Sequence, residues 1–318
     1  MNSLVIPVYR NEESIPSLLH ALTALAASMS EPLEVVFVVD GSPDRSHALL
    51  DEHLPKLPFA TQLLLLSRNF GSFAAIRCGL EAARGEFFAV MAADLQEPPE
   101  LVAQFFALLA LGDHDVVIAR RDARQDPWLS RLGSSLFWGA YRRLINPQIP
   151  PGGVDVFACN RAFRDQLLLL DESNSSLIGL MFWLGFRRGE VIYQRREREH
   201  GKSAWTLRRK LKYMMDSVFS FSDLPIRLLL LLGMLGITVA VLLGIGVVVI
   251  RLSGVVALPG YAATMIAILF FGGLNAFGLG VVGSYVWRAF ANTQRRPLAI
   301  VMLRRSHPRI DNDPRGSQ

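Results

Sequence analysis

The first 120 residues alternate between short apolar runs and longer amphipathic segments. The runs are rich in β-branched residues and predict buried strands at 4–8, 34–39, 62–66, 87–91 and 115–119. Between them apolar residues recur at helical spacing, as at Ile15, Leu18, Leu22 and Leu25. Strands that alternate with helices predict a mostly parallel sheet with helices on both faces. The fold class predicted for this part of the chain is therefore α/β.

Each of the first four predicted strands is followed by a polar cluster. The clusters contain Tyr9, Glu12, Asp40, Arg68 and Asp94. Because the carboxyl ends of parallel strands meet at one edge of a sheet, these side chains are expected to share that edge. Open α/β sheets bind their ligands there. The sequence thus predicts a nucleotide-type crevice.

The fourth cluster carries the most specific chemistry. An apolar run ends at Met91, Asp94 and Gln96 follow, and Pro98-Pro99 stops the strand. Oxygen-bearing side chains at i and i+2 can both reach one hard cation. Such a cation needs only one or two protein ligands when substrate phosphates supply the others. The alternative for an isolated Asp-x-Gln is a solvated loop.

Two basic segments lie farther along the chain. Residues 128–145 form a basic amphipathic pattern with Trp and Phe, which suits a membrane surface or, alternatively, an ordinary core-facing helix. Residues 191–213 carry a mixed, mainly basic charge run, which is usually a solvated surface. Its position directly before the apolar segments favours a membrane-proximal role.

Two long apolar segments predict a transmembrane hairpin. Leu228–Ile250 has no charged residue over 23 positions, and Leu258–Trp287 has none over 30. Arginine and lysine residues crowd both outer flanks, whereas the inner connection holds only Arg251. The positive-inside rule therefore predicts that both ends of the chain are cytoplasmic. Small residues at every fourth position, such as Gly236, Ala240 and Gly244, permit close packing within the hairpin or between subunits.

Composition adds little to this organisation. The 318 residues have room for about two domains, and the hydrophobic excess (51%, mean hydropathy +0.30) lies after residue 225. The net charge is +5. Cys78 and Cys159 are the only cysteines and have no Cys-x-x-Cys or Cys/His neighbour, which argues against a disulfide framework or a zinc site and favours a reducing compartment. The N-terminal residues show no signal-peptide pattern.

Taken in order, the motifs resemble a known family. They are Pro7-Val8-Tyr9 with Asn11-Glu12-Glu13, Val39-Asp40-Gly41-Ser42, Arg68-Asn69-Phe70-Gly71, Asp94-Leu95-Gln96-Glu97-Pro98-Pro99, and Arg198 with Gly201-Lys202-Ser203. With the hairpin, this combination resembles the family 2, GT-A-fold polyprenyl-phosphate glycosyltransferases over roughly residues 3 to 300. The resemblance implies transfer of a sugar from a nucleotide donor, with UDP-glucose as the default, to undecaprenyl phosphate of the cell envelope. It also implies Mg²⁺ or Mn²⁺, the cytoplasmic membrane face and no nucleic acid, and it makes a homo-oligomer such as a tetramer one option.

The resemblance assigns roles residue by residue. It places the donor against Pro7, Tyr9, Glu12, Asp40, Arg68 and Asp94, and the metal on Asp94 and Gln96. It places the acceptor phosphate against Arg121, Arg131, Ser135, Arg198, Lys202 and Ser203. Asp155 falls at the family's proposed catalytic Asp and is named, as base or orienting residue, together with Asp94 as a catalytic residue.

The chain also departs from the family pattern. Ala92 stands where relatives have the first Asp of Asp-x-Asp-x-Gln, and Val39 replaces the first acid of the second-strand motif. Ser203-Ala204-Trp205 replaces Ser-Lys-Tyr. Two further hypotheses stay open: a non-catalytic membrane module that keeps the fold, and a processive polysaccharide synthase. The synthase is disfavoured because Gln294-Arg295-Arg296-Pro297 does not match Gln-x-x-Arg-Trp and only two spans are predicted.

These observations divide the chain into four parts. Residues 1–200 are predicted to form the cytoplasmic GT-A domain, and 201–225 a juxtamembrane amphipathic helix. Residues 226–290 hold the two spans, at about 226–250 and 262–287. Residues 291–318 are predicted to be a cytoplasmic tail.

Overall fold

A computed structural model describes residues 1–121, 139, 142, 154, 156–195, 207–253 and 260–309. The chain divides into two compact units, Met1–Lys210 with Pro297–Gln318, and Leu211–Arg296. The strands of the first unit are β1 (Asn2–Val8), β2 (Leu33–Val39), β3 (Ala60–Leu66), β4 (Phe87–Val90), β5 (Val116–Arg121), β6 (Phe157–Asn160), β7 (Arg188–Tyr193) and β8 (Val301–His307). Its helices are α1 (Ile15–Ser28), α2 (Ser46–His53), α3 (Ser72–Ala82), α4 (Glu100–Ala110), α5 (Arg161–Leu168) and α6 (Leu177–Trp183).

The strands form one mixed sheet in the order β7-β5-β6-β4-β1-β2-β3-β8. Strands β4, β1, β2 and β3 are mutually parallel, and β5 is parallel to β7. Strand β6 runs antiparallel to both β4 and β5, and β8 runs antiparallel to β3. Six of the eight described strands therefore end at the same edge of the sheet. The mostly parallel α/β architecture expected from the sequence is confirmed.

Burial on both sheet faces explains the apolar runs of the sequence. All seven residues of β2 are buried, because helices cover both sides of a parallel sheet and leave no solvated face. Helix α1 buries Ile15, Leu18 and Leu22 against the core. Helix α4 buries Phe105 and Phe106 in the same cluster. The core thus holds the central strands rigidly and leaves their carboxyl ends to carry polar residues.

Helices α3 and α5 cap each other with arginines. The buried Arg77 guanidinium donates to the carbonyls of Leu167 (2.7 Å) and Leu170 (2.6 Å) at the end of α5. In return Arg164 on α5 donates to the carbonyls of Leu80 (3.3 Å) and Ala83 (3.2 Å) at the end of α3. The last carbonyls of a helix have no partner within the helix, and positive charge is favourable there. The exchange fixes α5, which follows the short strand β6.

Strand β8 is an addition that the sequence analysis did not predict, since it placed residues 291–318 in a tail. Residues 301–307 pair with β3 and extend the sheet at its edge. Arg304 donates to Gln62 Oε1 (2.8 Å), and Gln62 Nε2 donates to the buried Glu34 (2.8 Å). Glu34 also accepts from Ser3 Oγ (2.7 Å). A continuous polar chain thus ties the last strand to β3, β2 and β1.

The remaining described helices are α7 (Leu207–Phe221), α8 (Leu224–Leu252) and α9 (Tyr261–Thr293). Helix α7 begins in the last four residues of the first unit's segment, and the rest of it lies in the second unit with α8 and α9. Two segments of the second unit, Leu224–Ile250 and Thr264–Thr293, are long and apolar enough to cross a membrane, and only 6% of the most apolar stretch of each is buried. Asp216 on α7 forms an ion pair with Arg288 on α9 (2.7 Å). Tyr285 donates its hydroxyl to the Ser222 carbonyl (3.2 Å). These contacts fix α7 to the end of α9.

Candidate active site

Strand register brings the predicted polar clusters to one edge. Val8 of β1 is opposite Val39 of β2, and Val39 is opposite Leu65 of β3. Val90, the last residue of β4, is opposite Val5 of β1. The residues that follow these strand ends, including those of the four clusters, therefore emerge side by side. The edge predicted from the sequence exists in the first unit.

Asp44 is the centre of a hydrogen-bond network between the loops after β1 and β2. Its carboxylate accepts from the Ser42 hydroxyl (2.6 Å) and the Ser46 hydroxyl (2.9 Å). These two hydroxyls in turn accept the backbone N–H groups of Arg10 (2.8 Å) and Asn11 (3.2 Å). Burial opposes ionisation of Asp44, but these hydrogen bonds outweigh it and lower the pKa of the carboxyl group. The anion thus holds the Tyr9-Arg10-Asn11 backbone in place.

Glu12, predicted as a donor contact, belongs to the same loop pair. Its N–H donates to Asp44 Oδ2 (3.2 Å), and its carboxylate accepts from the Arg45 N–H (2.9 Å). Arg10 has a positive φ of 57°, which costs an L residue roughly 1–2 kcal/mol. The strained turn leaves Tyr9 half-buried beside the crevice, with the Arg10 guanidinium 5.5 Å from its ring centroid. Pro7 lies within β1, opposite Val38.

Asp40 locks the loop after β3. Its two carboxylate oxygens accept the N–H groups of Phe70 (2.7 Å) and Gly71 (2.8 Å). Next to it Gly41 has a φ of 55°, and an added Cβ would stand 2.3 Å from the Arg68 carbonyl carbon. The two loops therefore approach so closely that glycine is needed. Asp40, predicted as a donor contact, holds the neighbouring loop in this structure.

Arg68, another predicted donor contact, is exposed beside this loop. Its guanidinium lies 4.0 Å from the Phe70 ring centroid, a cation–π distance. It also donates to the Asn69 carbonyl (3.2 Å). The aromatic ring thus orients a positive charge at the rim of the crevice, where it could attract an anionic ligand.

The Asp94-Leu95-Gln96 turn follows β4. Leu95 has a φ of 53°, and such a left-handed conformation in a leucine is a strained feature of the kind concentrated at functional sites. The Gln96 N–H donates to Asp94 Oδ1 (3.4 Å). Asp94 and Gln96 are both half-buried and follow β4 at the edge of the sheet.

Arg195, which is not among the predicted site residues, reaches this turn from the end of β7, three strands away from β4 in the sheet. Its Nη2 donates to Gln96 Oε1, and its Nε lies 3.9 Å from Oε1 of the buried Glu97. Strands β5 and β6 separate β7 from β4, so at the usual strand spacing the two strand ends are on the order of 14 Å apart. The segment after Tyr193 must therefore turn back across the carboxyl edge. No local signal marks Arg195, because the contact depends on sheet order.

The predicted acceptor residues are only partly described. Arg121 ends β5, opposite Tyr193 of β7, and so lies on the same edge as the Asp94 turn. The remaining predicted positions lie outside the described residues; they are Arg131, Ser135, Asp155, Arg198, Lys202 and Ser203. The predicted amphipathic helix at 128–145 also lies almost entirely outside them.

The chemistry of the turn fits a hard divalent cation. Asp94 offers a carboxylate and Gln96 an amide oxygen, which are ligands that Mg²⁺ and Mn²⁺ accept. Among the described residues, no group of three or more His, Cys, Asp or Glu side chains could hold a metal ion. A cation at Asp94 and Gln96 would therefore take its other ligands from phosphate oxygens and water.

Comparison with known proteins identifies the family to which the chain belongs. Residues 3–169 match the profile described as "Glycosyl transferase family 2". An uncharacterised glycosyltransferase of Synechocystis is 31% identical, over 94% of each chain. The undecaprenyl-phosphate 4-deoxy-4-formamido-L-arabinose transferase of Pseudomonas fluorescens SBW25 is 32% identical, over 93% of this chain and 87% of its own. The prophage bactoprenol glucosyl transferase homolog of Escherichia coli K12 is 28% identical, over 94% and 97%. The chain is a glycosyltransferase and belongs to glycosyl transferase family 2.

Proposed function

We propose that the chain transfers a sugar from a nucleotide-sugar donor to undecaprenyl phosphate at the cytoplasmic face of a membrane. The observation that carries the proposal is one sheet edge that combines the Asp94-Gln96 turn with the arginines Arg68, Arg121 and Arg195. This edge belongs to a chain with two helices able to cross a membrane. The relatives named for bactoprenol and undecaprenyl-phosphate transfer support the acceptor class.

The donor occupies the crevice after β1, β2 and β4 in this proposal. The loops at Tyr9, Glu12 and Asp40 would form its nucleoside side, and Asp94 and Gln96 are the residues that would hold a divalent cation for its diphosphate. A bound divalent cation would stabilise the charge that develops on the departing nucleoside diphosphate. The side chains of the site are positioned and charged before the donor binds. Such preorganisation is the main way in which sites of this kind lower the activation barrier.

The acceptor phosphate is the nucleophile. A phosphate monoester has a second pKa of about 6, so it is largely dianionic at neutral pH and needs little help from a base. One phosphate oxygen forms a bond to the anomeric carbon while that carbon's bond to the diphosphate oxygen breaks. The nucleoside diphosphate leaves with the electron pair, and no proton has to move. Arg121, with the predicted Arg131, Ser135, Arg198, Lys202 and Ser203, would hold the phosphate in line, because guanidinium groups bind phosphate through paired hydrogen bonds. Asp155 would orient it.

Strand β8 supports the proposed membrane arrangement. The chain leaves the first unit before α8, and β8 after α9 pairs again with β3 of that unit. This return supports a hairpin in which the two apolar helices cross the membrane together. The excess of basic residues on the outer flanks of the helices supports a cytoplasmic first unit.

A donor panel tests the proposal. Membranes containing the chain are incubated with undecaprenyl phosphate, Mg²⁺ or Mn²⁺, and radiolabelled UDP- and GDP-sugars, with UDP-glucose first. A lipid-extractable product that is sensitive to mild acid and is abolished by chelator is expected with one donor. No product with any donor would contradict the proposal and favour a non-catalytic module.

A further inference from the structure

The Arg195 side chain occupies a position that the proposed function leaves unexplained. Its guanidinium donates to Gln96 Oε1 and lies beside the Glu97 carboxylate, whose side chain is only 3% exposed. Arg195 itself remains 32% exposed. The Arg195 guanidinium therefore already binds the amide oxygen that the proposed metal site needs as a ligand.

Gln96 Oε1 cannot serve both cations well. A divalent ion and a guanidinium on one oxygen would be separated by only a few ångströms. Like charges at that distance repel by several kcal/mol unless water screens them fully. The half-buried turn limits that screening. The ion that arrives must therefore displace Arg195 or bind weakly.

We propose that Arg195 and the divalent cation are alternative partners of Gln96, and that Arg195 holds the cation affinity of the turn low until the donor diphosphate binds. The inference rests on the proposed function, because it needs the cation site at Asp94. The diphosphate adds negative charge, which offsets the repulsion and offers the displaced guanidinium a phosphate partner. Arg195 is therefore a positioning residue that couples the cation to the donor.

Sheet topology places Arg195 close to the predicted acceptor side of the edge. Arg195 follows Tyr193, which is opposite Arg121 on β5. The guanidinium that leaves Gln96 would therefore stay at the same edge of the sheet.

The test measures Mn²⁺ binding by electron paramagnetic resonance on the purified full chain, with and without UDP. Without nucleotide, R195Q should bind Mn²⁺ about threefold to tenfold more tightly than the native chain, since one nearby positive charge is removed. R195K should stay close to the native value. With saturating UDP the difference in Mn²⁺ affinity between R195Q and the native chain should fall below about twofold or change sign.

Two further variants make the result specific. R187Q removes an arginine at the other end of β7, paired with Asp115 (2.9 Å), and should leave Mn²⁺ affinity unchanged. On a Q96A background the R195Q gain should largely disappear, because the shared oxygen is gone. A gain of the same size on that background would overturn the proposal and leave only a general charge effect.

The outcomes separate this inference from the proposed function. Mn²⁺ that binds the native chain, is lost in D94A and is bound no more tightly by R195Q would overturn the inference and keep the site. Absence of Mn²⁺ binding in the native chain and in R195Q, with or without UDP, would overturn both. Mn²⁺ binding that appears only in R195Q would support the inference in its strongest form.

Discussion

At the scale of single residues, two carboxylates hold the loops of the crevice. Asp44 accepts the Glu12 N–H and Asp40 accepts the Phe70 and Gly71 N–H groups, so together they connect the loops after β1, β2 and β3. These loops are polar and would otherwise be among the most mobile parts of the chain. The precision of the donor side of the site therefore depends on two buried or half-buried carboxylates.

Replacing Asp44 with Asn should destabilise the first unit in a pH-dependent way. The lowered pKa means that folding favours the ionised form of Asp44. Its contribution to the free energy of unfolding is therefore full above the ordinary carboxyl pKa near 3.8. That contribution is lost as the pH falls through the lower pKa of the folded state. We expect D44N to lower the free energy of unfolding by about 1 kcal/mol at pH 7. Thermal melts from pH 7 to pH 3 measure this.

The exposed Asp113, for which Asn should change little, is the control. The native chain and D44N should converge as the pH drops below about 3.8. A D44N deficit that stays constant down to pH 3 would show that ionisation of Asp44 is not its source.

Ala92 is the departure that most affects the cation site. An Asp there would add a second carboxylate two residues before Asp94, in the half-buried turn. We expect A92D to tighten Mn²⁺ binding about tenfold in calorimetric titrations, since each added carboxylate strengthens a hard-cation site. A92N, which adds bulk without charge, is the control. Equal Mn²⁺ affinities in A92D and the native chain would show that the missing Asp does not matter for metal binding.

At the scale of elements, β8 joins the C-terminal segment to the catalytic sheet. Arg304 and Arg305 are neighbours on it with different partners. Arg304 donates to Gln62 within the buried polar chain, whereas Arg305 pairs with Asp51 at the surface. The two residues therefore form a natural pair for comparing a partly buried with an exposed contact.

We expect R304A to lower the melting temperature and R305A to leave it nearly unchanged. Loss of Arg304 removes a hydrogen bond to the buried Gln62 side chain, which costs about 1–3 kcal/mol. An exposed ion pair contributes about 0–1 kcal/mol. Differential scanning fluorimetry of the purified chain makes the comparison. A larger shift for R305A than for R304A would contradict the role given to the polar chain.

The parts predicted from sequence were those fixed by local pattern. Strands β1 to β5, the apolar helices and the polar strand ends follow from periodicity and composition, and register then brings Tyr9, Asp40 and Asp94 to one edge. Strand β8 is not predicted because Val301-Met302-Leu303 is a short run before two arginines, and its partner strand lies far earlier in the chain, with 242 positions between Gln62 and Arg304. Arg195 was missed for the same reason.

The roles within the site were the hardest to predict. Asp40 is predicted to contact the donor, and the sequence does not predict that its oxygens accept the Phe70 and Gly71 N–H groups. An acidic residue after a strand gives the same sequence signal whether it binds a ligand or a neighbouring loop. The loop contact becomes visible only in the packing of the two loops, as at Gly41.

At the scale of the whole molecule, the two long apolar helices lie between the two sequence segments that form the first unit. Helix α8 begins at Leu224, and seven residues separate the end of α9 from the start of β8. In the proposed hairpin, the segments on both sides of the helix pair therefore lead to the same sheet.

Cysteine labelling tests this topology. In a cysteine-free background, Ser253→Cys at the end of α8 should react with an impermeant maleimide only from the face opposite the sheet. Asp113→Cys should react only from the cytoplasmic face, as the control. Labelling of both cysteines from the same face would contradict the hairpin, because it would mean that α8 does not cross the membrane.

The central claim is that Asp94 supports sugar transfer to a lipid phosphate. The most direct measurement is the rate of radiolabelled lipid product formed from undecaprenyl phosphate and the active nucleotide sugar by the native chain, D94A and the surface variant D113A. We predict that D113A retains the native rate and that D94A loses about a hundredfold or more, as sites do when an electrostatic contact to the developing charge is removed. Native transfer rates in D94A would contradict the account.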